Sequence, residues 1–226
     1  MDGLFSDNSV REQALSRVDV EGLASNPSPT CLIGCDLRGW EFERCNLRRA
    51  DFTGTNLEGT IWRSCRGAFA TFLGTDLTEA LFESSDFNNA VLRRSTLVSA
   101  SFRSCKLTGA DFSETRALGA TFEETLLINA KMPGYSFHKQ TLRKIDFSHA
   151  DLHKSDFRAA IFEDCSLRDA NMAVSRFAEA DLRGADLGGL RLVDAALFRG
   201  ATISREQATQ LLSELGLNVL YTRVRF

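Results

Sequence analysis

One feature constrains this chain more than any other: from Leu32 to Leu197 it repeats every five residues without a break in register. Leu or Phe fills 29 of the 34 positions 32, 37, 42 and onwards to 197. Ala, Ser, Thr or Cys fills 28 of the 33 positions that precede these by two residues. Helices and strands place apolar residues at periods of about 3.6 and 2, so neither explains a period of five. Internal repetition of this kind predicts a repeat architecture.

The five-residue unit reads small–polar–Leu/Phe–polar–polar, as in Ala50-Asp51-Phe52-Thr53-Gly54. It resembles the pentapeptide-repeat family, whose pattern is A-(D/N)-L-x-x. The resemblance implies an all-β solenoid, a right-handed quadrilateral β-helix of about eight to nine coils followed by a C-terminal α-helix. One pentapeptide would form each side of a 20-residue coil, with the Leu/Phe and the small residue inside. Because one such coil is too small to bury its own core, stability would come from stacking.

Residues 20 apart would stack in such a solenoid, and two columns of residues support this spacing. Four of the six cysteines share one inward column, where they serve as small interior residues: Cys45, Cys65, Cys105 and Cys165. One outward column alternates in charge: Glu43, Arg63, Glu83, Arg103, Glu123, Arg143, Glu163 and Arg183. We interpret it as a surface ladder of ion pairs that sets the register, each pair contributing about 0–1 kcal/mol.

The pattern predicts three segments: an N-terminal lead-in at 1–31, the β-helix at 32–203, and a capping or dimerisation helix with a tail at 204–226. Ser204-Arg205-Glu206-Gln207 has the spacing of a capping box, and Gly216 is placed to end the helix. Inside the repeat, Gly67 stands at a core position. Tyr135, Gln140 and Ile145 are oversized for successive inward positions, which predicts a kink or bulge between residues 132 and 145.

Composition excludes several classes of function. A net charge of −3 gives no bulk argument for direct nucleic-acid binding, and no apolar run is long enough to span a membrane. The first residues lack the pattern of a signal peptide, so we expect a cytoplasmic protein with reduced thiols. No phosphate loop, nucleophile elbow or metal-spaced histidine cluster occurs. We therefore expect no enzyme, cofactor or metal.

The end of the chain resembles the C-terminal helix of the Qnr and MfpA topoisomerase-binding proteins, through Ser204-x-x-Gln207-Ala208-x-x-Leu211-Leu212-x-x-Leu215-Gly216. This resemblance implies a DNA mimic that binds DNA gyrase or topoisomerase IV. Such a protein would modulate the enzyme, or protect it from a quinolone or a peptide-type toxin such as albicidin. It also implies a homodimer through the C-terminus, with an interface formed by Ala208, Leu211, Leu212, Leu215, Leu217 and Val219.

Two kinds of outward residue are candidates for the partner surface. Acidic columns would serve a DNA mimic, and their members are Asp36, Asp76, Asp156, Asp51, Asp111 and Asp151. Ile61 and Leu81 stack outward, near Phe69, and would form an apolar patch. The apolar patch favours the alternative function, a protein–protein interaction scaffold unrelated to topoisomerase, because a fold does not determine a function.

Overall fold

The computed structural model describes residues 30–189, 196–214 and 216–220. Almost the whole expected lead-in at 1–31 lies outside these residues, as does Leu215. The chain divides into two compact units, of which unit 1 ends at Lys131 and unit 2 begins at Met132. This boundary falls inside the expected β-helix of residues 32–203.

Unit 1 is a β-helix in which every coil takes 20 residues. Its three-residue strands are β1 (Glu41–Glu43), β2 (Ile61–Arg63), β3 (Leu81–Glu83), β4 (Ser101–Arg103) and β5 (Thr121–Glu123). Each strand pairs in parallel with the next, as in Phe42↔Trp62 and Trp62↔Phe82. The other sides are joined by single-residue bridges at the same spacing, such as Asp51↔Thr71. This register confirms the 20-residue coil expected from the repeat.

Unit 2 has the same coils and ends in a helix. Its elements are β6 (Thr141–Arg143), β7 (Ile161–Glu163), β8 (Cys165–Ser166), β9 (Ala185–Asp186) and α1 (Arg205–Glu214). Strand β6 pairs in parallel with β7, and β8 with β9. Both units thus have the right-handed quadrilateral β-helix fold, with one C-terminal helix among the described residues. In the coil that follows β7, Asp181 forms only one-residue bridges, so β7 is the last three-residue strand among the described residues.

The expected kink between residues 132 and 145 is wrong. Met132 N–H donates to the Asp151 carbonyl and Gly134 N–H to the His153 carbonyl, which is the regular spacing of the coil. Tyr135 and Ile145 are both buried at their inward positions. The coil therefore accommodates its larger side chains by packing, without a change in the backbone path.

Each coil has four sides, numbered here along the chain. The first side carries the three-residue strands, as in residues 60–64. Residues 65–69, 70–74 and 75–79 exemplify the second, third and fourth sides. The last residue of a pentapeptide turns the corner with a positive φ, as at Gly54 (64°) and Ser64 (53°). Glycine adopts this conformation without strain, whereas a residue with a Cβ atom adopts it at a cost. Non-glycine residues at the corners, such as Ser64, are therefore held in a strained backbone conformation.

The inward Leu and Phe side chains form continuous stacks within each unit. On the first side of unit 1, neighbouring ring centroids lie 3.9, 5.3, 4.8 and 4.9 Å apart along the series Phe42, Trp62, Phe82, Phe102 and Phe122. On the fourth side of unit 2, Phe137, Phe157 and Phe177 stack at 4.9 and 4.8 Å. The four column cysteines are buried as expected. Burial raises the pKa of the Cys105 thiol to about 11, which makes it an unreactive packing residue.

At Gly67, a neighbouring side chain occupies the space that a Leu or Phe fills at the other inward positions. A Cβ atom at this position would overlap the ring of Phe87. That ring lies 5.8 Å from Trp62 in an edge-on arrangement, a favourable geometry for aromatic pairs. The glycine therefore compensates for two large neighbours and leaves no cavity to be filled.

The alternating column lies in the expected register, but ion pairs form at only some of its steps. Arg63 Nε lies 3.5 Å from a Glu83 carboxylate oxygen, and Arg143 Nε lies 2.7 Å from Glu163. Arg183 instead pairs with Asp181 beside it, at 2.5 Å. These side chains are about half exposed, so their pairing contributes little to stability.

Candidate interaction surfaces

The six candidate aspartates hold the turns of the coil. Each accepts a hydrogen bond from the backbone N–H two residues further along, at 2.9 to 3.3 Å, in the pairs Asp36–Arg38, Asp51–Thr53, Asp76–Thr78, Asp111–Ser113, Asp151–His153 and Asp156–Arg158. Short polar side chains stabilise turns in this way. Their recurrence in the repeat therefore has a structural cause, independent of any partner.

Within each unit, the candidate carboxylates are divided between two sides of the coil. Asp36 and Asp76 lie on the fourth side of unit 1, whereas Asp51 and Asp111 lie on its third side. Asp151 and Asp156 belong to unit 2. Asp156 is only 7% exposed and pairs with Arg158 and Arg176, both at 2.8 Å. The hydrogen bond from Arg158 holds the pKa of Asp156 below its usual range, so its carboxylate stays ionised. The two arginines balance its negative charge.

A denser group of acids occupies the fourth side of unit 1, and we call it the acidic patch: Asp36, Glu58, Asp76 and Glu79. Glu58 and Glu79 are exposed, whereas Asp76 is partly covered. Arg38 is the one cation on this side between residues 36 and 79, and it pairs with Asp36 at 2.7 Å. The hydrogen bond to Asp36 raises the pKa of Arg38, and nearby Glu58 adds to the effect. Sequence reasoning missed both glutamates because its search for acidic columns followed only the aspartates just before the Leu or Phe. The glutamates stand one and two positions after the Leu, where a search of the sequence for acidic residues could have found them.

The proposed apolar patch does not form as one surface. Ile61 and Leu81 are parallel neighbours in β2 and β3, and both are partly exposed. Phe69 is 49% exposed, but it lies at the corner that ends the second side, with φ at 62°. The phenylalanine and the aliphatic pair therefore belong to different sides of the coil.

The C-terminal helix has the capping box that the sequence predicts, and it is also hydrogen-bonded to the end of the coil. Ser204 Oγ accepts from Gln207 N–H at 3.1 Å, and Gln207 Oε1 accepts from Ser204 N–H at 2.7 Å. Gln207 Nε2 also donates to the carbonyls of Leu182 and Ala185, both at 2.6 Å. One residue thus completes the capping box and satisfies carbonyl groups at the end of the coil, which would otherwise be left unpaired.

This helix leaves its apolar residues uncovered, since none of the residues of α1 is buried. Of the predicted dimer contacts, Leu212 is 40% and Leu217 55% exposed. The others among the described residues, Ala208, Leu211 and Val219, are partly exposed. Leu220, which sequence reasoning did not single out, is 86% exposed. The described C-terminal segment therefore carries an apolar surface that its own unit does not bury.

Residues 30–189, 196–214 and 216–220 offer neither a metal centre nor a membrane span. No group of His, Cys, Asp and Glu side chains in these ranges is arranged to hold a metal ion. No helix there has both the length and the apolar character needed to cross a membrane.

Comparison with known proteins gives a family and a fold. The model of a family described as pentapeptide repeats (8 copies) matches in overlapping segments from residue 30 to 204. No curated protein matches the chain. Among solved structures, a trypsin-treated variant of QnrB1, a plasmid-mediated fluoroquinolone resistance protein, superposes with a TM-score of 0.71 at 24% identity, over 84% of this chain and 98% of the QnrB1 chain. Full-length QnrB1 gives a TM-score of 0.68 at 22% identity, over 83% and 99% of the two chains.

Proposed function

This chain belongs to the pentapeptide-repeat family, and from that premise we propose that it is a non-enzymatic protein that binds a type II topoisomerase, DNA gyrase first of all, as a mimic of DNA. By binding, it would modulate the enzyme or protect it from a quinolone or a peptide-type toxin such as albicidin. Topoisomerase IV is the second partner that we propose. Support comes from the Qnr-like C-terminal motif and from the fold shared with QnrB1, a fluoroquinolone resistance protein.

The observation that carries this proposal is the acidic patch of unit 1. Duplex DNA presents regularly spaced negative charges to the proteins that bind it. The patch presents carboxylates from successive coils, which stack about 4.8 Å apart on hydrogen-bonded backbone. Because that backbone is fixed, the charges are already in place before a partner arrives, and their ordering costs little on binding. A basic DNA-binding surface would meet a complementary potential there.

We also propose that the protein forms a homodimer, which the apolar C-terminal segment supports. Exposed apolar residues at the end of a chain favour association, because their burial removes apolar surface from water. Leu212, Leu217 and Leu220 would be the contacts of largest area. A dimer would carry two acidic patches, which increases avidity when both can engage one partner.

The test is DNA supercoiling by purified gyrase, titrated with this protein in the presence and absence of a quinolone or albicidin. We expect either inhibition of supercoiling or its rescue from one poison. The variant Glu58→Lys/Glu79→Lys should abolish this effect, since it reverses two exposed charges of the patch. Arg38 and Lys139 already occupy the equivalent positions of other coils, so the variant is expected to fold.

A matched control is Asp164→Lys, which reverses an exposed corner charge on the first side of unit 2. Lys144 occupies the equivalent position one coil earlier, and the control should act like the wild type. Absence of any effect of the wild-type protein at a large molar excess would overturn the gyrase proposal. Equal activity of the patch variant and the control would overturn the role of the patch.

The second candidate is a scaffold for a protein other than a topoisomerase. The outward pair Ile61 and Leu81 favours it, since aliphatic side chains on a solvent-facing side often mark an interface. The variant Ile61→Thr/Leu81→Thr removes this aliphatic pair. Threonine already occupies the same column at Thr121. A topoisomerase-binding protein should keep its full effect on gyrase after this change.

A further inference from the structure

The fourth side of unit 2 contains an open cleft with an unusual lining. Its volume is about 390 Å³, within the range of small-molecule sites. Three arginines border it: Arg158, Arg176 and Arg199. The remaining lining is largely apolar: Val174, Ser175, Phe177, Ala178, Ala196 and Leu197. The lining thus combines three arginines with mainly apolar side chains.

Asp156 orients two of the three guanidinium groups. Arg158 binds its carboxylate in a bidentate manner, with Nε–Oδ1 at 2.9 Å and Nη2–Oδ2 at 2.8 Å. Arg176 Nη2 donates to the same Oδ2 at 2.8 Å. A single carboxylate thus holds two cations, and a net positive charge remains. Because a guanidinium has five N–H donors, both arginines keep donors available for a ligand.

Arg199 adds a third cation, and no acid among the described residues pairs with it. Within the described part of the chain, no hydrogen bond or ion pair engages its side chain, although its backbone N–H donates to the Ala196 carbonyl. The acid nearest in the repeat, Glu179, is not among the residues that line the cleft. The cleft therefore carries an excess of positive charge that an anion would neutralise.

Val174 is the second unusual feature of the cleft. Its φ is 62°, and it is the one β-branched residue with a positive φ among the described residues. This conformation is strained for a β-branched side chain. The side chain is nonetheless 69% exposed, so burial in the core does not explain its presence. An apolar wall beside the arginines is a role that would explain it.

We propose that this cleft binds a small organic anion in which a phosphate or carboxylate group carries an apolar or aromatic body. Arg158, Arg176 and Arg199 would hold the oxyanion, for which the planar guanidinium fork is well suited. Val174 and the alanines of the lining would contact the apolar part. This site is independent of the proposed topoisomerase surface, which lies on unit 1.

Amide NMR of the full chain tests the proposal with four probes: phenyl phosphate, benzoate, inorganic phosphate and phenol. We expect phenyl phosphate or benzoate to bind at least about tenfold more tightly than inorganic phosphate or phenol, since only the first two join both chemistries. The shifted signals should belong to residues 158, 174–178 and 196–199. Comparison of phenyl phosphate with benzoate identifies the preferred oxyanion. Equal affinity for all four probes, or shifts outside these residues, would overturn the proposal.

Two variants separate binding from folding. Arg199→Gln should weaken phenyl phosphate about tenfold and leave the melting temperature unchanged, because Arg199 supports no other described side chain. Its matched control is Lys139→Gln, which removes an exposed cation from the fourth side of unit 2 outside the cleft lining and should leave the affinity unchanged.

Val174→Gly should also weaken binding several-fold, while the melting temperature stays the same or rises as the strain at φ 62° is relieved. Gly134 already occupies the equivalent position of another coil. Unchanged affinity in both Arg199→Gln and Val174→Gly would show that the cleft is not a binding site.

Discussion

The fourth side carries opposite charges in the two units. In unit 1 it presents Glu58, Asp76 and Glu79, and in unit 2 Arg158, Arg176 and Arg199. Most inward residues of both sides are nevertheless of one kind, a buried Leu or Phe such as Leu77 and Phe157. The fold restricts the inward positions in every coil and leaves the outward ones free to vary in charge. Binding properties can therefore differ between units that share one architecture.

Truncation of an inward aromatic should have the largest effect, and a similar one in each unit. Trp62→Ala in unit 1 and Phe157→Ala in unit 2 each remove a fully buried ring, at an expected cost of about 3–5 kcal/mol in the free energy of unfolding. Urea denaturation measures this cost. The control Leu118→Ala, at a residue 81% exposed, should change stability by less than about 0.5 kcal/mol. A small effect in only one unit would show that the interiors are not equivalent.

Replacement of the core glycine tests whether a consensus residue is always preferred inside. Gly67→Leu restores the repeat pattern but should destabilise the protein by about 1–3 kcal/mol, because the Phe87 ring occupies the space. Thermal unfolding would detect the loss. The double variant Gly67→Leu/Phe87→Leu frees that space and should recover part of the stability. If Gly67→Leu alone is stabilising, the packing explanation fails.

Two aspartates at equivalent positions of the fourth side should respond differently to neutralisation. Asp156→Asn loses its charged bonds to Arg158 and Arg176 and should cost about 1–2 kcal/mol at pH 7, since the arginines are partly screened by solvent. Asp76→Asn keeps an oxygen that accepts from Thr78 N–H and should cost less than about 0.5 kcal/mol.

The pH dependence separates these two aspartates further. The folded-state pKa of Asp156 is lowered, so its contribution is complete above the unfolded pKa of about 3.9 and is lost as the pH falls through the folded value. The stability difference between Asp156→Asn and the wild type should therefore narrow below about pH 4. Denaturation curves between about pH 7 and pH 2.5 measure it, and a constant difference over this range would contradict the ion-pair explanation.

Reversal of an exposed charge should have the smallest effect on folding. Glu79→Lys changes the sign of a corner residue without removing an ion pair and should shift stability by less than about 0.5 kcal/mol. We expect Glu79→Lys to weaken gyrase binding instead, which the supercoiling assay measures. A loss of stability above about 1 kcal/mol would mean that the acidic patch has a structural role as well.

The sequence was enough to predict the coil, because its five-residue repeat resembles the pentapeptide-repeat family and the cysteine and charge columns support a spacing of 20 residues. The 20-residue register, the buried cysteine column and the Ser204–Gln207 capping box were all predictable. Each depends on local spacing or on stacking between neighbours, and both can be read from the chain in order.

Only the tertiary structure decided how individual side chains use that scaffold. It placed the Phe87 ring in the space beside Gly67, neutralised Asp156 with two arginines, and separated Phe69 from Ile61 and Leu81. It also brought Arg199, which follows the repeat, beside Arg158 and Arg176. The physical reason is that a periodic sequence specifies where each Cα lies within a coil. The rotamers and partners of large or charged side chains depend instead on contacts between coils, which the period does not encode.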